Sequence, residues 1–196
     1  QAFNLMAITI NYLHSFVIGV CIGSFLNVVV YRLQNELSII KPRSFCPKCK
    51  TQLSWRENIP LISYLIQKGK CLNCSVSIPL RYPLIEFTTG IFFAVFLKSS
   101  PSFYGISSNL SLNIFFGWLF LSLLICISLI DISSFWIPQS LITFGLYSGL
   151  LKLLIYSSKY TNLNLFFKGI STSAIAFLIF ESLRYTTRYI FRKDAI

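Results

Sequence analysis

Cys46-Pro47-Lys48-Cys49 and Cys71-Leu72-Asn73-Cys74 stand 21 residues apart in a stretch, Phe45 to Cys74, that is flanked on both sides by strongly apolar sequence. Two close thiol pairs at that separation suit a tetrahedral zinc site, because each pair can form a tight knuckle presenting both sulfurs to one ion. The alternatives are two disulfides or four unrelated loop cysteines. Around the pairs, nine Lys or Arg residues fall between Arg32 and Arg81. By the positive-inside rule that loop is cytoplasmic, a reducing compartment in which disulfides are rare and a metal is favoured.

Outward from this loop the composition decides the class. A chain of 196 residues that is 55% hydrophobic, 16% aromatic and only 12% charged is polytopic membrane protein rather than soluble domain. The net charge of +11 would suggest nucleic acid in a soluble chain. Here the cations sit between apolar runs, so they set topology, and no nucleic-acid partner is expected. The partner implied by composition is the lipid bilayer.

The expected fold is all-α, a transmembrane bundle of about five spans with a small cytoplasmic zinc-knuckle insertion. Leu5 to Tyr31 carries no charged side chain and makes the first span, with the amino terminus outside. The first Lys or Arg is Arg32 and the apolar run is longer than a signal core, so a signal peptide is not expected here. Gly19 and Gly23 form a G-x-x-x-G that can seat a neighbouring helix. Further spans are expected at about Ile78–Leu97, Leu112–Ile130, Trp136–Ile155 and Leu165–Phe180. The domains are then 1–33, the first span; 34–77, the zinc-binding loop; and 78–196, the remaining bundle. No internal repeat suggests a transporter built from duplicated halves.

Only six acidic residues occur: Glu36, Glu57, Glu86, Asp131, Glu181 and Asp194. Glu86 lies just inside the second span, where a carboxylate needs a partner or a protein-facing position; Arg81 and Arg32 are the candidates. Asp131 ends the third span at a short turn, where it either caps a helix hairpin or acts chemically. Glu181 is placed to pair with Arg184 one turn on. His14 reads as structural or interfacial, and Cys21 and Cys126 as small buried residues.

Taken together, Gly23-Ser24-Phe25-Leu26-Asn27-Val28-Val29-Val30-Tyr31-Arg32-Leu33, the two cysteine pairs, Asn58-Ile59-Pro60-Leu61-Ile62-Ser63-Tyr64, Gly69-Lys70-Cys71 and Arg81-Tyr82-Pro83-Leu84-Ile85-Glu86-Phe87 resemble the amino-terminal half of type IV prepilin peptidases. Leu129-Ile130-Asp131 followed by Ile137-Pro138 resembles that family's first catalytic aspartate region. The likeness covers nearly the whole chain in order.

The resemblance implies an aspartic endopeptidase of the bacterial inner membrane. It would cleave the basic leader of type IV prepilins and pseudopilins at the cytoplasmic face, and often methylate the new amino terminus with S-adenosylmethionine. Asp131 is then one of two carboxylates sharing a proton, one activating water and the other polarising the scissile carbonyl. Cys46, Cys49, Cys71 and Cys74 become structural zinc ligands in a domain tied to pilin binding and methyl transfer, to which Glu86 contributes. The family's second aspartate lies in a Gly-x-Gly-Asp motif, and none occurs in this sequence. The expectation is a truncated or split member served by a complementing carboxy-terminal fragment, or an inactive pilin-binding membrane scaffold. A smaller departure is Gln139, where many relatives carry an acid after the proline.

Overall fold

The computed structural model of the protein describes residues 2–99, 110–134, 138–160, 167, 170 and 171. Among them are five α-helices: α1 (Ala2–Gln34), α2 (Ile62–Ile66), α3 (Arg81–Ser99), α4 (Leu110–Ser134) and α5 (Gln139–Tyr160). The chain divides into two units, 1–134 and 135–196.

The apolar run that opens the chain contains no proline and folds as one continuous helix. α1 stops where the backbone turns left-handed at Glu36, φ 55°. There the Leu37 N–H returns to the Arg32 carbonyl at 2.8 Å and the Glu36 N–H to Leu33 at 3.4 Å, a Schellman closure without the usual glycine. The buried Arg32 side chain organises the start of the loop beyond α1. Its guanidinium donates to the carbonyls of Ser38 (2.9 Å), Ile39 (2.7 Å) and Pro42, wrapping these residues around it.

α3 packs on α1 through small residues. A Cβ on Gly19 would lie 2.8 Å from the Gly90 Cα, and one on Gly23 2.8 Å from the Glu86 Cα, so the two backbones touch along the G-x-x-x-G face. Leu26, Val29 and Val30 farther along α1 are buried, as are Ile85 and Phe93 of α3. α4 packs against both α1 and α3. Trp118 stacks on Phe93 with ring centroids 5.0 Å apart and donates its indole N–H to the Phe93 carbonyl at 3.3 Å. In lipid such a bundle is held by close packing and interhelical hydrogen bonds rather than by release of water. Apolar side chains point outward as well, among them Val17, Phe25, Phe87 and Phe120, as expected of surfaces that meet acyl chains.

Among the described residues, two helical stretches, Asn11–Gln34 and Leu112–Ser134, are long and apolar enough to cross a membrane, and Gln139–Ile155 is a shorter apolar helix. α3 is interrupted by Arg81, Glu86 and Lys98 within its 19 residues. The expected third span is longer than the sequence suggested: α4 continues through Ser134, so Asp131 lies within its last turns and not in the turn beyond. Ser133 and Ser134 lie in its last turn and return their hydroxyls to carbonyls of the preceding turn, 2.7 Å to Leu129 and 2.8 Å to Ile130, so they compete little for a turn outside the helix. In the second unit, α5 starts after Pro138, whose carbonyl takes the Leu141 N–H at 3.0 Å. Apart from Phe167, Ile170 and Ser171, the expected fifth span at Leu165–Phe180 lies outside the described residues, as do Glu181, Arg184 and Asp194.

Candidate functional site

The two cysteine pairs fold by one template. In the first, the Cys46 N–H bonds the Thr51 carbonyl at 3.0 Å and the Lys50 N–H returns to Cys46 at 2.9 Å; in the second, Cys71 bonds Val76 at 2.9 Å and Ser75 returns to Cys71 at 2.9 Å. In both, the residue after the second cysteine is left-handed, Lys50 at φ 59° and Ser75 at φ 56°. A single antiparallel bridge seals each knuckle, Phe45 to Gln52 and Lys70 to Ser77.

These turns bring all four sulfurs within 4.8 Å of one another, with Cys46 Sγ 3.9 Å from Cys74 Sγ and Cys49 Sγ 4.0 Å from Cys71 Sγ. Disulfide sulfurs lie about 2.05 Å apart, so none is formed. Four thiolates about 2.3 Å from a tetrahedral ion sit about 3.8 Å from each other, and the cluster fits that set. The four expected ligands are therefore brought together, and they can hold a metal ion.

Their protonation is uneven. Hydrogen bonds from Thr51, side chain and then backbone, lower the Cys49 thiol to about 6. The backbone N–H groups of Cys74 and Asn73 lower Cys71. Cys74 is pulled down by the Val76 N–H, yet burial and the neighbouring sulfurs outweigh that and push it up to about 11. A cation among them would favour thiolate throughout.

Beside the knuckles lies a cavity of about 370 Å³. Ser24, Asn27 and Tyr31 line it from α1, Tyr82 and Glu86 from α3, and Phe45, Cys46, Tyr64 and Cys71 from the loop. The volume falls in the range of small-molecule sites. Its polar groups are built in: buried Asn27 donates to the Tyr82 carbonyl at 3.2 Å, and buried Glu86 accepts the Leu61 N–H at 2.8 Å and the Ser24 hydroxyl. Neither expected arginine partners Glu86. Arg32 is committed to loop carbonyls, and the Arg81 guanidinium lies 5.6 Å from the centre of the Tyr82 ring. The reason is positional: the loop folds back and offers Glu86 a main-chain donor, which satisfies a carboxylate without a second charge.

Asp131 stands apart from this cavity, exposed near the carboxy-terminal end of α4. Two residues on, Ser133 accepts a hydrogen bond from the Gln34 amide, which sets the end of α4 beside the end of α1. Cys126 is buried as expected; Cys21 is exposed, because it lies on the face of α1 turned away from α3, and His14 is exposed as well. Asn27, Tyr64 and Tyr82 were not singled out from sequence, although each falls within a stretch that carries the family resemblance. An asparagine on an apolar helix was the available signal.

A family model described as the Bacterial Peptidase A24 N-terminal domain matches residues 17–99, which hold the cavity and all four clustered cysteines. The prepilin leader peptidase/N-methyltransferase of Myxococcus xanthus is 35% identical over 92% of this chain and 50% of its own length. The type 4 prepilin-like proteins leader peptide-processing enzyme of Escherichia coli is 32% identical over 91% of this chain and 68% of its own. The Bacillus subtilis prepilin leader peptidase/N-methyltransferase is 39% identical over 67% of this chain and 50% of its own. The chain thus spans between half and about two thirds of the length of these relatives. No solved structure matches. The apolar helices and these relatives together mark a membrane protein. From cysteine cluster to helix pair, the chain belongs to the prepilin leader peptidase family.

Proposed function

We propose that this chain serves leader cleavage of type IV prepilins or pseudopilins at the cytoplasmic face of the bacterial inner membrane, and methylation of the new amino terminus. The observation that carries this is the match, along nearly the whole chain, to a relative named for both activities and to another named for leader-peptide processing. The placement is multi-pass, with the amino terminus outside and the cysteine loop cytoplasmic, supported by the cations of residues 32–81.

Asp131 supplies one carboxylate of an aspartic pair. Its exposure near the end of α4 leaves it free to meet a second carboxylate, which this reading assigns to a complementing segment outside the 196 residues, since the sequence has no Gly-x-Gly-Asp. With one proton between them, one carboxylate takes the proton of the attacking water and the other donates to the peptide carbonyl oxygen. Zinc, held by Cys46, Cys49, Cys71 and Cys74, has a structural role, because four thiolates leave no open position for substrate.

The cavity is the site for S-adenosylmethionine, which brings the methyl group. Glu86 offers it a carboxylate in a largely apolar wall, Asn27 an amide, and Tyr31, Tyr64 and Tyr82 aromatic surfaces suited to a cation or a flat ring.

The test is co-expression with a prepilin and a complementing segment, reading leader loss by the mass of the pilin. Asp131→Asn is expected to lower cleavage by at least about 10³-fold, the scale of losing an acid–base group, with the metal content of the purified chain unchanged. Cleavage undiminished in Asp131→Asn would sink the assignment. Pilin that still binds but is never cut, with any complementing segment supplied, would favour the scaffold reading.

A further inference from the structure

Large apolar side chains of the cysteine loop are left bare among the described residues: besides Ile40 and Leu72, they include Trp55, Ile62, Leu65, Ile66 and Leu80. Three sit on the short helix α2, where Ile62 is 54%, Leu65 74% and Ile66 75% exposed. The 3-10 turn Arg56–Asn58 packs against α2 and carries Trp55, 66% exposed, at its start. On a domain standing clear in water such a patch would be a liability.

Its depth explains it. Leu61, the residue before α2, is tied through its N–H to the Glu86 carboxylate. Glu86 lies five residues into α3 from Arg81, about 7.5 Å along the axis at ~1.5 Å per residue. It also bonds Ser24, eight residues back along the candidate membrane span from Arg32 and therefore about 12 Å below it. Both rulers set the start of α2 below the level of the basic residues that mark the surface. Helices that lie in the interface bury their apolar face about 5–10 Å into the boundary between headgroups and acyl chains.

We propose that α2 and Trp55 rest in the headgroup and acyl boundary of the leaflet that the loop faces, so that this part of the metal-binding loop is a membrane-surface element. Arg56, whose guanidinium lies 5.3 Å from the Trp55 ring centre, and Lys68, just after α2, are the cations for lipid phosphate. Leu80, just before α3, and Leu84 and Phe87 on it are exposed apolar side chains as well. The loop then approaches a membrane-embedded substrate at the depth at which that substrate emerges. This rests on the membrane placement proposed above.

The test uses the whole chain in vesicles of phosphatidylcholine and phosphatidylglycerol with brominated acyl chains. Trp55, Trp118 and Trp136 are replaced by Phe, and single reporters are introduced as Leu65→Trp, Ile66→Trp, Thr51→Trp on the exposed first knuckle and Phe120→Trp on α4. The expected result is that reporters at 65 and 66 are quenched several-fold more than the one at 51, approaching the one at 120. Equal weak quenching at 51, 65 and 66 with strong quenching at 120 overturns the inference and leaves the membrane placement standing. Weak quenching at all four positions removes the placement itself. A reporter at 66 shielded from both brominated lipid and aqueous acrylamide shows a protein partner on the patch and also overturns it.

Discussion

The main-chain N–H of Leu61 donates to the Glu86 carboxylate across 2.8 Å, so the cysteine loop is anchored inside the helix pair and not merely at its edge. Removing the acceptor leaves a donor without its partner in a half-closed site, at a cost of about 1–3 kcal/mol. Glu86→Ala is expected to lose that much in unfolding free energy of the solubilised chain. Glu86→Gln, which keeps an oxygen at the same place, is expected to lose less than about 1 kcal/mol, the usual net worth of one hydrogen bond. Equal losses in the two variants would show that the charge, and not the bond to Leu61, is what the fold requires.

Metal removal is expected to loosen the loop and spare the helices. No thiol takes part in the contacts of Gly19 and Gly23 with α3 or in the Phe93–Trp118 stack. Chelation, or Cys46→Ser, should expose Lys48, Lys50, Arg56, Lys68 and Lys70 to trypsin while peptides of α1, α3 and α4 stay protected. Mass spectrometry of a timed digest reads both. Unchanged cleavage at those five sites would mean that the knuckles hold without an ion.

Glu36, Lys50 and Ser75 adopt left-handed backbone at φ 55°, 59° and 56°. A side chain pays for that conformation, so Glu36→Gly and Ser75→Gly are expected to stabilise the chain by about 0.5–1 kcal/mol each, the relief outweighing glycine's greater freedom when unfolded. Lys50 is excluded because its ammonium also lies 5.4 Å from the Phe45 ring centre. Thermal unfolding of the two variants checks this; a fall in midpoint for both would contradict it.

Glu57 accepts the Ser54 N–H at 2.8 Å, and that main-chain bond, then the Ser54 hydroxyl, lowers its pKa from the ordinary 4.5. A depressed folded value means that the stabilisation is present above the unfolded pKa and is lost as pH falls through the folded one. Exchange protection of the Ser54 amide, corrected for intrinsic rate, should therefore hold near neutrality and decline below about pH 4.5. In Glu57→Gln the decline should vanish. A pH-independent amide in the wild-type chain would count against the carboxylate as its partner.

Spacing alone made the cysteine cluster legible, because two C-x-x-C pairs have few ways of meeting one ion and the same local turn serves both. The helix pair was half legible: the Gly19 and Gly23 spacing announced a close neighbour without naming Gly90 and Glu86 as what they touch. The partners of Glu86 and Arg32 were not. A sequence shows charges, so it suggested an ion pair, whereas the fold answered each with main-chain groups from Leu61, Ser38, Ile39 and Pro42, which carry no mark in a one-dimensional string. The length of α4 was underestimated because Ser133 and Ser134 look like turn residues until their hydroxyls return to their own helix. Asp131 was singled out from the sequence for its position at the end of an apolar run, and the fold adds its exposed place on the last turns of α4.

Each knuckle closes within its own few residues, one by the Phe45–Gln52 bridge and the other by the Lys70–Ser77 bridge, and the four sulfurs meet between them. An ion captured by one knuckle during synthesis would wait as a two-pronged chelate until the other arrived. The second capture then turns a local chelate into a cross-link spanning residues 46 to 74 and removes the wandering of everything between. A disulfide does the same for a secreted domain by shrinking the unfolded ensemble. With an ion between its four sulfurs, this loop would obtain that restraint from bonds which thiol reductants leave in place and which open when the ion is withdrawn.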